Sequence, residues 1–296
     1  MTLAQLVQYI LSGITAGSIY AVVAIGFNII YNTTGIINFA QGEFLVLGAM
    51  TAVSLAAVLP LPVAILLAVV ITMLVGVAID FAFIKWLRRP SVLRLVIITI
   101  GVSILIREAM LHIWDEKVRA LRYFTGSEVS SVRLLGAYIS PQVLWVLGTS
   151  AVVVVGLNLF FKFTLVGRAM RACADNRTAA RLCGIPARRM VTVSFMVSAA
   201  IGALAGCVIS PLTQTQYDMG APLAIKGFTV AILGGLGNST AAVAAGLILG
   251  LLEAFAISIL PLSYIDAVSI AVLLIVLFFR PSGLFGNREA GALKEF

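Results

Sequence analysis

The sequence predicts an all-α integral membrane protein, a polytopic helical bundle of eight or nine spans with some broken or short helices, forming one domain over residues 1–296. Three observations carry this. Of the 296 residues, 61% are hydrophobic and 11% charged, against about 25% charged in soluble domains. So few charges cannot build a water-facing surface, and the mean hydropathy of +1.11 agrees. The charges are also segregated: from Met1 to Ile79 the sole charged side chain is Glu43. Finally, the charge-free runs Leu134–Phe161, Met190–Tyr217 and Gly227–Leu252 each exceed the roughly 20 residues that a helix needs to cross hydrocarbon.

In chain order, hydropathy places spans at 6–30, 35–59, 62–87, 91–113, 140–162, 190–211, 240–260 and 264–280. A shorter apolar piece, 224–238, either crosses or is re-entrant. The N-terminal stretch has no basic n-region and no cleavage site, so it reads as the first span and not as a removed leader. Between the spans, two stretches are strongly basic. One holds Lys85, Arg88, Arg89 and Arg94; the other holds Lys162, Arg168, Arg171, Arg177, Arg181, Arg188 and Arg189 against Asp175 alone. The positive-inside rule assigns both to the cytoplasm. In the loop 114–139, Asp115, Glu116 and Glu128 offset much of Lys117, Arg119, Arg122 and Arg133, which fits the outside. Arg280, Arg288 and Lys294 put the C-terminus inside. If 224–238 crosses, the N-terminus is outside. The net charge of +8 thus reflects orientation, and no nucleic-acid partner is expected.

Glycine patterning adds two expectations. Gly17 and Gly42 are 25 residues apart, as are Gly202 and Gly227, which hints at an internal repeat with inverted halves. The pairs Gly13/Gly17, Gly202/Gly206 and Gly246/Gly250 allow close helix packing in lipid.

Three features go beyond a bundle of apolar helices. The segment 163–189 contains Gly167–Asn176 and Ala179–Pro186, where alanine, arginine and methionine favour helix and Gly184 with Pro186 stops it. One or two short helices separated near Asn176 are expected, with a surface suited to a groove on a cytoplasmic partner. Next, Glu43, Lys226 and Glu253 lie at membrane depth, where ionisable groups face an interior or a water-filled path. For Glu253 a structural pairing between helices is an equal alternative. Glu43 clusters with Asn38, Gln41 and Gly42, while Arg107 and Glu108 read as a local pair. Third, the run Leu233-Gly234-Gly235-Leu236-Gly237-Asn238 suits a broken helix whose freed backbone groups are buried or line a cavity. A phosphate loop would need a Gly-Lys-Ser/Thr end, and no lysine here follows glycine, so the chain does not hydrolyse ATP in that way. Cys173, Cys183 and Cys207 lack metal-ligand spacing and His112 is the only histidine. No metal, no cofactor and no catalytic residue is expected.

Several of these stretches resemble the LivH-type permease subunits of branched-chain amino acid ABC transporters: Gly17-Ser18-Ile19-Tyr20-Ala21 with Gly26, Gly35 to Glu43, Gly167–Asn176 with Leu182-Cys183-Gly184-Ile185, Lys226-Gly227-Phe228 through Gly237, and Arg280 to Gly286. The likeness runs in order over nearly the whole chain. One departure is Gln41, where many members have histidine, which argues against an essential titratable group there. The resemblance implies a multi-pass protein of the bacterial inner membrane. It would be paired with a second, related permease, supplied by a periplasmic substrate-binding protein and driven through alternating access by two cytoplasmic ATPases. It also implies that Gly167, Arg168, Arg171, Ala172, Asp175 and Gly184 meet the ATPase, and that Asn38, Gln41, Gly42, Glu43, Lys226 and Gly227 lie along the translocation path. Permeases for urea, short amides or other amino acids are the nearest alternatives. An ion-coupled transporter or channel acting alone, using Glu43 and Glu253 as ion sites, is the alternative of another class. No cluster of nucleophile, base and metal ligands points to an enzyme.

Overall fold

The computed structural model describes residues 3–85, 92–127, 129–134, 137–261 and 264–285. Arg88, Arg89, Glu128, Gly286, Arg288 and Lys294, used above, lie outside the described residues. The elements are α1 (Leu3–Thr34), α2 (Gln41–Ala56), α3 (Leu61–Ile79), α4 (Val92–Trp114), β1 (Val132–Leu134), β2 (Ala137–Ile139), α5 (Pro141–Phe163), α6 (Leu165–Asp175), α7 (Arg177–Leu182), α8 (Ala187–Thr213), α9 (Gly220–Gly234), α10 (Ser239–Ala256) and α11 (Ile265–Phe279).

Each of the nine expected apolar segments has its helix. By length and composition α1, α3 with the π-helical turn Asp80–Ile84 that continues it, α5, α8 and α10 can cross a membrane, whereas α2, α9 and α11 are apolar but shorter. The helix α4 has the length but carries Arg94, Arg107 and Glu108. The span expected at 35–59 is split. Gly35, at φ +74°, ends α1 with its N–H on the Tyr31 carbonyl at 2.7 Å, and only after 35–40 does α2 begin. The break has a local cause: the Asn38 side chain accepts from the Ala40 N–H at 3.2 Å, offering the backbone an alternative to helix. The loop 114–139 also holds an antiparallel hairpin, β1 with β2, that an all-α reading did not foresee.

An inverted repeat organises the bundle. A long helix, six irregular residues and a short helix occur twice, as α1–α2 and α8–α9. Going down α1, Ile19 and Val22 meet Val208 and Ala205, and Gly26 meets Ser198, so α1 and α8 run antiparallel. Each long helix packs on the other repeat: α1 on α9 and α10, α8 on α2 and α3. The matching helix starts equate Gln41 with Gly220. The register that glycine spacing implied, Gly42 with Gly227, is therefore six residues off. Those glycines serve packing instead. A methyl group at Gly17 would overlap the backbone at Gly246, and one at Gly76 would collide with Ala199 and Phe195, the same crossing in each half.

The side chains of α2 are buried from Gln41 to Ala52, while α5 and α11 bury few of theirs. Thus α2 is interior, and α5 and α11 are peripheral with faces suited to lipid. One end of the bundle gathers Lys85, Lys162 and the arginines of α6, α7 and the start of α8. At the other end Gln8 accepts from the Tyr138 N–H at 3.1 Å, and Arg119 pairs with Thr215.

Candidate functional site

At the centre of the bundle the first turns of α2 and α9 meet. A methyl group on Gly42 would overlap the Gly220 carbonyl oxygen, so the two backbones are in direct contact. Because both helices start there, the positive ends of two helix dipoles converge at one point. Neither start has a side-chain cap. The Gln41 and Glu43 N–H groups go to the Asn38 and Ala40 carbonyls, each at 3.2 Å, and Pro222 has none. The N–H groups of Gly42, Gly220 and Ala221 are those left to face an anionic group.

The Glu43 carboxylate lies against Gly220 and is 1% exposed. Its Oε1 accepts from the Ser103 hydroxyl of α4 at 3.0 Å, and its Oε2 has no partner. Arg107, one turn further along α4, and Asp218 are the charged groups whose fields reach it. Among the described residues Arg107 makes no ion pair with Glu108, which corrects the local pair expected from sequence. Asn38 is fully buried, and its Nδ2 is also without a partner. Buried polar atoms are satisfied in the great majority of cases, and these two, beside the helix-end junction, are exceptions.

Gln41 is satisfied differently. Its Nε2 donates to the Ser198 carbonyl at 3.3 Å, and its Oε1 lies 2.5 Å from the Ser198 hydroxyl, which is also 2.9 Å from the Gly26 carbonyl. Gln41 thereby ties α2 to both long helices, and a neutral amide suits this role.

The structure sets Lys226 apart from this junction. Its Nζ lies 3.3 Å from both Glu253 oxygens, 3.0 Å from Asp266 and 3.3 Å from the Tyr20 hydroxyl. Tyr20 donates to Glu253 Oε2 at 2.7 Å, and Ser269 donates to Oε1. This network ties α1, α9, α10 and α11 together, and the inter-helix pairing weighed for Glu253 is the one observed. Gly227 faces away from the junction, packed against Val23 of α1.

At the basic end, α6 and α7 are two short helices broken at Asn176. Thr164 caps α6 through the Gly167 N–H, and Asn176 caps α7 through the N–H groups of Thr178 and Ala179. The buried face of α6 is Gly167, Met170 and Cys173. A side chain at Gly167 would overlap Phe160 of α5, so this glycine seats α6 on the bundle. Arg168, Arg171, Asp175 and Gly184 are exposed and Ala172 is half-buried. Leu165, 77% exposed, and Leu182, 85% exposed, flank them. Neither leucine was among the residues expected at the ATPase, because a leucine in an apolar chain carries no signal until its helix is oriented. Burial pushes the Cys173 thiol above its ordinary range, with Arg177 and Arg181 partly opposing. The Gly234–Asn238 run is not a broken helix but the turn from α9 to α10. It is held by Asn28, which accepts from the Gly237 N–H, and Asn32, which donates to the Gly237 carbonyl. It does line a cavity, as expected.

Interrupted helices that meet inside an apolar helical bundle are an architecture that many membrane transporters use. Residues 9–277 match the family described as branched-chain amino acid transport system / permease component. The chain belongs to that family. It is 33% identical to the high-affinity branched-chain amino acid transport system permease protein BraD of Pseudomonas aeruginosa, over 95% of this chain and 96% of that protein. It is 31% identical to the corresponding LivH of Escherichia coli, with the same coverage. Among solved structures, PsaBC from Streptococcus pneumoniae in complex with Fab shares the fold at a TM-score of 0.52 and 12% identity, over 95% of this chain and 94% of that one.

Proposed function

We propose that this chain is the membrane-spanning subunit of an inner-membrane ABC importer for branched-chain amino acids, and that its substrate passes the junction of α2 and α9. The observation that carries the site is the unpartnered Glu43 Oε2 beside two uncapped helix starts. A zwitterion is complementary to it: the ammonium meets Glu43 and Asp218, and the carboxylate meets the N–H groups of Gly42, Gly220 and Ala221. Aliphatic walls close by accept the side chain. Asn38, Gln41 and Gly42 shape this junction, while Lys226 and Gly227 act at one remove, by holding α9 in place.

In this reading alternating access uses that contact. Separation of α2 from α9 at Gly42 and Gly220 opens the path, and their closure seals it. In this reading the basic end faces the cytoplasm, and α6–α7, in segment 163–189, is where an ATPase docks. The exposed Arg168, Asp175 and Gly184 with Leu165 and Leu182 form the docking face, Ala172 lies at its edge, and Gly167 transmits movement to α5. The opposite end, with the loop 114–139, receives the binding protein. A second permease and two ATPases complete the assembly.

Purification in mild detergent from cells making the whole system tests this. Recovery of two ATPases and a second permease with the chain is the expected result. A lone chain that transports leucine in liposomes without nucleotide would overturn it.

A further inference from the structure

At the end opposite the basic one, the chain that follows α4 runs as a short strap, residues 119–121, over the bundle. Arg119 and Thr215 exchange both of their backbone hydrogen bonds. The Arg119 N–H donates to the Thr215 carbonyl at 2.9 Å, and the Thr215 N–H to the Arg119 carbonyl at 2.6 Å. Thr215 belongs to the six-residue link, 214–219, that carries the chain from α8 to Gly220, the first residue of α9 at the junction. The strap therefore grips the segment that sets where α9 begins.

Its other holds lead to α2 and the helices beside it. Leu121, 3% exposed, packs in one apolar cluster with Ala52 of α2, Ala68 of α3 and Cys207 of α8. Its N–H donates to the Ser210 hydroxyl of α8 at 3.2 Å, which the Thr215 hydroxyl also reaches at 2.8 Å. Trp114, where α4 ends, donates from Nε1 to the Ser54 hydroxyl of α2 at 2.6 Å, and its carbonyl accepts from the Arg119 guanidinium at 3.3 Å. The strap is thereby fixed to α2, α3 and α8, while the link it grips leads into α9, which packs on α1 and α10. Gln214, next to Thr215, has φ +54° without being glycine. Such a conformation persists only where the surroundings hold it, and parting of the Arg119–Thr215 bridge would let it relax.

We propose that the Arg119–Thr215 bridge is a latch on the outer side of the transport path. It must part before α9 can draw away from α2 at Gly42 and Gly220, and docking of the binding protein on the loop 114–139 releases it. The proposal rests on the reading of the α2–α9 junction as the path. Two backbone hydrogen bonds at a single point are a hold that a docking protein can undo, and the strain at Gln214 favours their release. Arg119 acts here as a positioning residue through its main chain, so its N–H is needed where its side chain is not.

The double variant Arg119→Cys/Thr215→Cys tests this in the whole complex in proteoliposomes. Antiparallel partners that exchange both bonds have Cα atoms about 5.5 Å apart, within reach of a disulfide. The disulfide should form in the resting complex and not in one held by binding protein, ATP and vanadate. The complex oxidised at rest should lose uptake and regain it with reductant. Each single-cysteine variant, which controls for pairing with Cys207, should transport throughout. Arg119→Pro, which removes the N–H of the bridge, should free ATP hydrolysis from its dependence on the binding protein, whereas Arg119→Ala should not. Equal disulfide yield in both states, uptake by the oxidised complex, or a proline variant that behaves like the alanine one would overturn the latch. Uptake by the oxidised complex with Glu43→Gln inactive would leave the path without the latch. Loss on oxidation with Glu43→Gln fully active would keep the latch and remove the path from Glu43.

Discussion

Glu43 and Glu253 are both acids at membrane depth, yet their surroundings differ in kind. Glu253 receives Tyr20, Lys226 and Ser269, so it is a satisfied structural charge. Removing one partner from a buried pair typically costs about 3–5 kcal/mol, whereas replacing both by apolar groups is close to neutral. Lys226→Met should therefore lower the unfolding midpoint in detergent, and the double variant Lys226→Met/Glu253→Met should recover most of it. A functional role for Lys226 in the path predicts the opposite, a stable single variant that fails to transport. The depth of these residues was legible in the sequence, because Glu43 stands alone among 79 residues. Their partners were not: Ser103 is 60 residues from Glu43 and Tyr20 is 233 from Glu253, distances over which no local pattern reports.

Among the elements, the short helices do most of the functional work. At the junction, Gly42 and Gly220 leave no room for a side chain, and overpacking of this kind costs about 1–3 kcal/mol. Gly42→Leu is expected to hold α2 and α9 apart. The complex should still assemble, uptake should fall sharply, and ATP hydrolysis should lose its dependence on substrate. At the basic end, Cys183 is exposed on the tip of α7 whereas Cys173 is buried beneath α6. At pH 7–8 a maleimide should label Cys183 in the isolated chain and be blocked when ATPase is bound. Burial raises the pKa of Cys173 and so favours its neutral form in the folded state. Its contribution to stability is present below the ordinary thiol pKa and is lost as pH rises through the raised value. Cys173, buried against the bundle, should therefore be labelled only on local opening or unfolding. That α6 and α7 exist as two helices broken at Asn176 was readable from composition and stop residues. Which face each one buries was not, since Gly167, expected at the ATPase, instead packs on Phe160, and the exposure of Leu165 shows only once α6 is seated there.

At the scale of the molecule, charge distribution and hydropathy were enough to find nine apolar segments and to group the basic residues at one end. The inverted repeat was visible only as glycine spacing, and in the wrong register, because glycines marking helix crossings need not mark equivalent positions. The fold places the first residues of α1 beside the hairpin loop, at the end opposite α6. Single cysteines at Gln5 and at Val129 are therefore expected to react with the same impermeant reagent in intact spheroplasts, while one at Ala179 is protected. The junction of α2 and α9, with Glu43 half-satisfied inside it, is the centre of the account. The direct test is ATP-driven uptake of labelled leucine by the whole complex in proteoliposomes, comparing wild type with Glu43→Gln, which keeps the Ser103 contact and removes the charge. The account predicts uptake reduced about tenfold or more, consistent with loss of a charge-assisted bond, with assembly and basal ATP hydrolysis retained. Wild-type uptake by Glu43→Gln would contradict it.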